Sequence, residues 1–242
     1  MRNRCWLVLR ALNLFILACL LILTALPATA PCQPANRQAP SPAIPLRIGA
    51  DSDFAGNLFL AARDIEVPCS LELRPYLDRS YNSRSARTGY FGKGWTADPI
   101  DIRVEKRPDG KLIVVMGDGR EEHYELQDGK DYRSVRPGES SGFVLAATAE
   151  GGYSLRLGNG ERWEFNAKGY MVSKKDPAGN LLTVRRDRNG IAPLSIEGSF
   201  GKKLTVQWKN GRIAAVEGTG LRVDYQYDAR GRLIKKSGKA AQ

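Results

Sequence analysis

The sequence predicts an all-β fold: an antiparallel array of β-hairpins, preceded by a signal helix and a proline-rich linker. Three observations carry that expectation. A short phrase recurs as Asn166-Ala-Lys-Gly169, Asp187-Arg-Asn-Gly190, Lys209-Asn-Gly211 and Asp228-Ala-Arg-Gly231, with its glycines 21, 21 and 20 residues apart. A second glycine turn falls inside each period, at Asp176–Asn180, Gly198–Gly201 and Glu217–Gly220. Between the turns lie short β-branched and aromatic runs: Leu181–Val184, Leu204–Trp208 and Leu221–Tyr227. A period of about twenty residues with two turns means one hairpin per period.

Each part of the unit has a physical reason. Glycine takes the positive-φ position that a tight reversal needs, and the Asp or Asn ahead of it hydrogen-bonds its own turn. In the last run Leu221, Val223, Tyr225 and Tyr227 share one face, and Arg222, Asp224 and Gln226 the other. That alternation predicts a strand with one buried face. A lone hairpin is marginal, so each must lean on its neighbour.

The phrase Tyr225-Gln-Tyr227-Asp228-Ala-Arg-Gly231-Arg232-Leu233 resembles the YD repeat of Rhs and teneurin-type proteins. The resemblance makes Gly169, Gly190, Gly211, Tyr227, Asp228 and Gly231 structural turn residues, although the three upstream copies lack the Tyr-Asp pair. A second stretch is similar to the domain that precedes YD repeats in Rhs proteins. It comprises Gly56-Asn57-Leu58, Asp64-Ile-Glu-Val-Pro68, Arg79-Ser-Tyr81-Asn82-Ser83 and Gly89-Tyr-Phe91-Gly92-Lys-Gly94-Trp95. It departs at Cys69, where that family usually has Gly after the Pro, and at Ala97-Asp98, where a Ser- or His-containing strand start is common. Four segments follow: a signal peptide over 1–30, a linker over 31–47, a pre-repeat β domain over 48–165 and YD-like repeats over 166–242.

Taken in order, the first thirty residues read as a targeting signal. Arg2, Arg4 and Arg10 come without any acid, an apolar run covers 11–26, and Ala28-Thr29-Ala30 supplies the small-residue end. Pro31, just past the cleavage position, and Ile16-Leu-Ala-Cys19, similar to a lipoprotein box, leave cleaved, lipidated and anchored forms open. Each of them is exported, to the periplasm, the cell surface or the medium. Outside the signal, Cys32 and Cys69 form either a disulfide or two free thiols. Pro31, Pro34, Pro40, Pro42 and Pro45 make the next segment a semi-extended linker.

In the pre-repeat domain Leu58–Leu60 and Leu71–Leu73 read as strands, and Gly89, Gly92 and Gly94 form a loop that delivers Phe91 and Trp95 to the core. From Asp101 onward hairpins follow one another. Asp109-Gly110 turns into Leu112–Val115, and Asp118-Gly119 turns that strand into Glu122–Leu126. Tyr153, Leu155 and Leu157 face Trp163 and Phe165 across Gly158-Asn-Gly160. Residues 128–141 are expected to form an exposed loop, and no amphipathic helix is expected after the signal. Lys236–Gln242 is expected to form no useful strand, which leaves the last hairpin without its second half.

No residue pattern asks for chemistry. His123, the single histidine, sits among Glu121, Glu122, Tyr124 and Glu125 as on a solvated strand, not in a catalytic triad. The carboxylates fall at turns and polar faces rather than as a glycosidase-like pair. Lys93 is not followed by Ser or Thr and opens no helix, so its glycine-rich loop is not a phosphate cradle. Asp176-Pro-Ala-Gly179 resembles the self-cleavage motif of long Rhs proteins, but it fits the ordinary second turn of the period. Two cysteines and one histidine outside the signal give no metal site, and no cofactor is expected.

The formal charge is +11, and Lys174-Lys175, Arg185-Arg186, Arg188, Lys202-Lys203 and Lys235-Lys236 mark successive turns. They stack as a stripe for an anionic glycan or the cell envelope, or they are solvated charges that protect sheet edges. Export makes a nucleic-acid partner an unfit reading. In Rhs proteins the repeats spiral into a hollow shell around a toxin, and 212 residues after a thirty-residue signal are too few to build one. The resemblance therefore implies an exported, non-enzymatic structural or interaction module of the toxin-shell type. It is either a truncated gene fragment or a short member that packs its open edge on another Rhs-type chain or toxin-system component. Carbohydrate or envelope binding through basic turns and aromatics, and glycan hydrolysis, are the alternatives.

Overall fold

The structure, a computed structural model, describes residues 47–48, 56–68, 73–135, 142–218 and 220–240. The signal segment, the linker before Arg47, Cys32 and Cys69 lie outside these residues. Among the described residues, regular structure is strand apart from one short 3-10 turn at Ser199–Gly201, and strands pair antiparallel throughout. None of the described helices is long and apolar enough to cross a membrane.

The first sheet has four strands in the order β1 (Arg47–Ile48), β2 (Phe59–Glu66), β3 (Tyr76–Asn82) and β6 (Trp95–Asp98). A small ribbon, β4 (Thr88–Gly89) with β5 (Gly92–Lys93), forms the loop before β6. That loop delivers Phe91 to the core, fully buried, with Trp95 half-buried beside it. The expected strand at Leu71–Leu73 is corrected in its described part: Leu73 lies in a bend, and β3 begins at Tyr76, just after Pro75. Proline removes a ladder donor and is displaced to the strand's entrance.

The second sheet is a meander of fourteen strands, each paired with its neighbours in sequence. Its first half runs β7 (Arg103–Lys106), β8 (Leu112–Val115), β9 (Glu121–Asp128), β10 (Asp131–Ser134), β11 (Val144–Ala147), β12 (Tyr153–Arg156) and β13 (Arg162–Phe165). The second half runs β14 (Met171–Lys175), β15 (Leu181–Arg186), β16 (Pro193–Gly198), β17 (Lys203–Lys209), β18 (Arg212–Gly218), β19 (Leu221–Tyr227) and β20 (Leu233–Ala240). The sheet continues across residue 165, where β13 pairs with β14.

Two expectations need correction here. Strand β10 occupies part of the expected 128–141 loop, because Tyr132 pairs with Leu126 and Leu145 and so continues the ladder. The tail does form a strand: β20 pairs with β19 from Tyr227↔Leu233 to Leu221↔Ala240. Its polar side chains read poorly as a strand, yet the ladder uses backbone groups that every residue except proline supplies.

The long sheet curls back on itself. The outer edge of β7 meets the chain entering β14 through an Arg103↔Tyr170 bridge. Val104 N–H donates to the Gly169 carbonyl at 2.8 Å, and Met171 N–H to the Ile102 carbonyl at 3.1 Å. Its covered face, with Leu145, Leu155, Phe165, Leu182, Ile196, Leu204, Val216 and Val223, shares one apolar core with Ile65, Val67, Leu77, Phe91 and Ile100. Buried apolar surface contributes about 25 cal/mol per Å2, so a core common to both sheets is what binds them.

Candidate functional site

Each repeat hairpin breaks register just before its turn. The pairs at these breaks are Phe165↔Met171, Arg186↔Pro193, Trp208↔Ile213 and Tyr227↔Leu233. The residue after each second member, Val172, Leu194, Ala214 and Ile234, is left over as a β-bulge. At the first three of these bulges the carbonyl just before the bulge faces the next hairpin, and a side chain of that hairpin caps it. Arg186 Nε donates to the Met171 carbonyl at 2.9 Å, Trp208 Nε1 to Pro193 at 2.9 Å, and the Tyr227 hydroxyl to Ile213 at 2.9 Å. Three chemically different donors occupy one repeat position and do one job: they stitch hairpin to hairpin.

This places the residues marked from the sequence. Gly169, Gly190, Gly211 and Gly231 all lie at reversals with φ between +71° and +82°. Asp187 Oδ1 accepts from Ile191 and Ala192 N–H, and Asp228 Oδ1 from Arg230 and Arg232 N–H. These bonds hold both carboxyls below the usual carboxylate range, led by the amides of Ile191 and Arg232 respectively. Lys209 has no such group to offer, and Asn210 (φ +51°) with Gly211 makes a two-residue reversal there. In the Tyr-Asp pair, then, Tyr227 reaches back to the previous hairpin while Asp228 closes its own turn.

Three polar clusters join the four-stranded sheet to the repeats. In the first, Asp64, with no side-chain exposure, receives Arg79, the Tyr225 hydroxyl at 2.7 Å and the Lys236 ammonium at 3.2 Å. The Arg79 guanidinium stands 5.2, 4.6 and 5.1 Å from the ring centres of Phe91, Trp95 and Tyr225. Burial would lower its pKa, but the Asp64 bond holds it above the ordinary value. Burial also pushes the Tyr225 hydroxyl well up, so it stays a donor.

In the second cluster Lys174, nearly fully buried, donates to Asp98 Oδ1 at 2.7 Å and to the Tyr76 hydroxyl at 2.9 Å, 4.4 Å from the Trp163 ring centre. In the third, Arg186 of β15 reaches the loops on either side of the four-stranded sheet's last strand. Its Nη2 donates to the Ile100 carbonyl at 2.8 Å, and Nη1 to Ile191 at 2.6 Å and the Tyr90 hydroxyl at 3.3 Å. Burial lowers its pKa from the ordinary arginine value. Beside it Asp101 is buried, with Oδ2 unpartnered among the described residues. Burial pushes its carboxyl up to about 7 against the pull of Arg103.

The basic residues at the turns therefore do not share one face. Lys174, Arg186 and Lys236 reach toward the four-stranded sheet and its loops. Arg185 and Lys203 point the other way and pair with Glu197. Alternation along a strand sends adjacent residues to opposite faces, so each doublet is divided between the two.

A groove of about 590 Å3 opens between the two sheets, lined among others by Arg63, Arg74, Tyr76, Trp163, Lys174 and Asp176. Its acids are engaged: Glu161 accepts from Trp163 Nε1 at 3.0 Å, and Asp176 from Asn180. His123 stands on β9 with Nε2 3.9 Å from Glu121 Oε2. Among the described residues no three His, Cys, Asp or Glu side chains gather as a metal site. Asp64, Asp98, Asp101, Lys174 and Arg186 were not singled out by sequence reasoning as an interface. The one available signal was alignment of Arg186 with Trp208 and Tyr227 at the end of each first strand.

These features define a class first: an all-β antiparallel hairpin array whose first strands form a separate sheet packed on the repeats. Residues 54–124 match the family model for a domain of unknown function, DUF6531. The match spans β2 to the first half of β9 and so contains Asp64, Arg79, Asp98 and Asp101. No curated protein matches the chain.

Proposed function

We propose that the chain is an exported, non-enzymatic structural and interaction module of the Rhs/YD-repeat type. The observation that carries this reading is the stitch at Arg186, Trp208 and Tyr227, which devotes the end of each repeat's first strand to holding the previous repeat. Buried ionic groups support it: Asp64 of the four-stranded sheet takes Tyr225 and Lys236 from the repeats, and Lys174 of the repeats meets Asp98 of that sheet. Such a body presents a surface and a strand edge, and its partner is another Rhs-type chain or toxin-system component. The test is twofold. The full chain incubated with a panel of bacterial glycans should release no reducing ends, and it should co-purify with an Rhs-type chain. Turnover of any glycan that Glu161→Gln or Asp176→Asn abolishes would overturn the reading.

A second reading rests on the groove, where Arg63, Arg74, Tyr76 and Trp163 combine cations with ring surface suited to an anionic glycan. Retention of the chain on immobilised lipopolysaccharide, lost in Arg74→Glu, would favour envelope binding.

A further inference from the structure

We propose that the rim formed by the repeat turns binds a linear polysaccharide acidic at every second sugar, through a ladder of exposed cations at Lys168, Arg188, Lys209 and Arg230. The proposal rests on the reading of the chain as an interaction module, and it names a partner chemistry and a place apart from the groove between the sheets.

The ladder follows from the meander. Strands β13 to β20 pair in sequence order, so the turns after β13, β15, β17 and β19 fall at one end of the sheet. Those turns contain Gly169, Gly190, Gly211 and Gly231, and each carries an exposed cation at its tip: Lys168, Arg188, Lys209 and Arg230. Successive hairpins lie two strand spacings apart, so the cations recur about every 10 Å along the rim. Among the described residues none of these side chains is paired with an acid. Asp187 and Asp228 share the rim, but each is bound by backbone amides of its own turn. Earlier turns at the same end differ, with exposed acids Asp109 after β7 and Glu150 after β11. The basic run begins with the repeats.

The tips are also fixed relative to one another. Asn166 Nδ2 donates to the Gly190 carbonyl at 2.7 Å, joining the first turn to the second. A methyl group on Gly231 would stand 3.0 Å from the Arg212 guanidinium, so the third hairpin touches the fourth turn. The β4–β5 ribbon braces the same rim. Its Tyr90 hydroxyl donates to the Ile191 carbonyl at 2.6 Å, and the Tyr90 ring meets Trp208 edge-on, with centres 5.5 Å apart. Gly92 of the ribbon lies against the Gly231 carbonyl, which brings Lys93, a further exposed cation, to this end.

Charge spacing selects the ligand. A nucleic-acid strand carries one charge per about 3.4 Å. An extended peptide presents residues of one side about every 7 Å. The first crowds several anions against each cation, and the second falls out of step with the ladder. A linear polysaccharide acidic at every second sugar has the widest step of the three. Each exposed ion pair is weak by itself, so affinity comes from engaging several at once.

The probe is an end-labelled hyaluronan decasaccharide, with one carboxylate in every two sugars, titrated against the full chain by fluorescence anisotropy at low salt. Saturable binding is expected. The tetrasaccharide, with only two carboxylates, should bind about tenfold more weakly. Arg188→Gln should weaken decasaccharide binding about threefold. Lys168→Gln, Arg188→Gln, Lys209→Gln and Arg230→Gln combined should weaken it about a hundredfold, with an unchanged unfolding midpoint. Lys130→Gln, in an earlier turn, should leave binding as it is. Absence of saturable binding, equal affinity for the two lengths, or binding that survives the combined variant overturns the proposal. So does single-stranded DNA binding as tightly and failing in the same variant, which would make the rim a general polyanion contact. Binding kept in the combined variant but lost in Arg74→Glu would move the glycan to the groove. Release of reducing ends from the decasaccharide would remove the proposed function and leave the rim, whereas absent binding without turnover removes the rim alone.

Discussion

The Tyr225 hydroxyl donates to Asp64 Oδ2 across 2.7 Å, tying β19 to β2 over 161 positions of sequence. Asp64 also receives Arg79 and Lys236, so one buried carboxylate serves the first long strand and the last two. Removing it leaves Arg79 buried without its counter-charge. Asp64→Ala should destabilise the fold by about 3–5 kcal/mol, and Tyr225→Phe by about 1–2 kcal/mol. Urea unfolding followed by tryptophan fluorescence measures both. Near-zero changes would mean that the two sheets are held by apolar packing alone.

The stitch makes a different prediction. Tyr227→Phe and Trp208→Phe remove the donors to Ile213 and Pro193 while keeping an aromatic ring in place. Each should cost about 1 kcal/mol, or somewhat more for Trp208 because of the smaller ring. The expected readout is a lower urea midpoint with an unchanged slope.

Glycines at equivalent turns should differ. A methyl group on Gly169 (φ +82°) would overlap the Val104 carbonyl, where the long sheet closes on itself, whereas one on Gly211 (φ +71°) meets open space. Gly211→Ala should therefore cost only the positive-φ strain, about 1–3 kcal/mol, and Gly169→Ala distinctly more. Thermal unfolding of the two variants side by side decides the order.

Asp101 gives a pH dependence. Its carboxyl titrates at about 7 in the fold against an ordinary value of 3.8, because burial disfavours the charged form. Between those values the folded state keeps a proton that the unfolded chain releases. This residue's contribution therefore falls as pH rises from about 4 to about 7, then levels off. Asp101→Asn removes the dependence: relative to the parent, the variant should gain stability between pH 5 and pH 8. Parallel pH profiles for the two proteins would contradict this assignment.

Much of the array is legible in the sequence, since strand and turn are local matters. The Gly169, Gly190, Gly211 and Gly231 spacing marks reversals because a positive φ favours glycine wherever the chain must turn tightly. Tyr153↔Phe165 and Leu155↔Trp163 pair as alternation predicts. The joint between the halves is not legible in this way. Lys174 and Arg186 each stand in a basic doublet, and only the strand's facing tells which member turns inward. Asp64 meets Tyr225, and Asp98 meets Lys174, through contacts that no local pattern encodes. The last strand was missed because Lys235–Lys239 is polar, while its pairing is made by the backbone of β19.

The central claim is that the DUF6531-matching segment and the repeats fold as one cooperative body. Native-state hydrogen exchange on the full chain tests it most directly, with amides of β2 and β3 compared with those of β18 and β19. The account predicts the same opening free energy for both sets, and the same drop in both when Asp64 is replaced by Ala. Fast, independent exchange in β2 and β3 while β18 and β19 stay protected, with Asp64→Ala changing only the former, would contradict it.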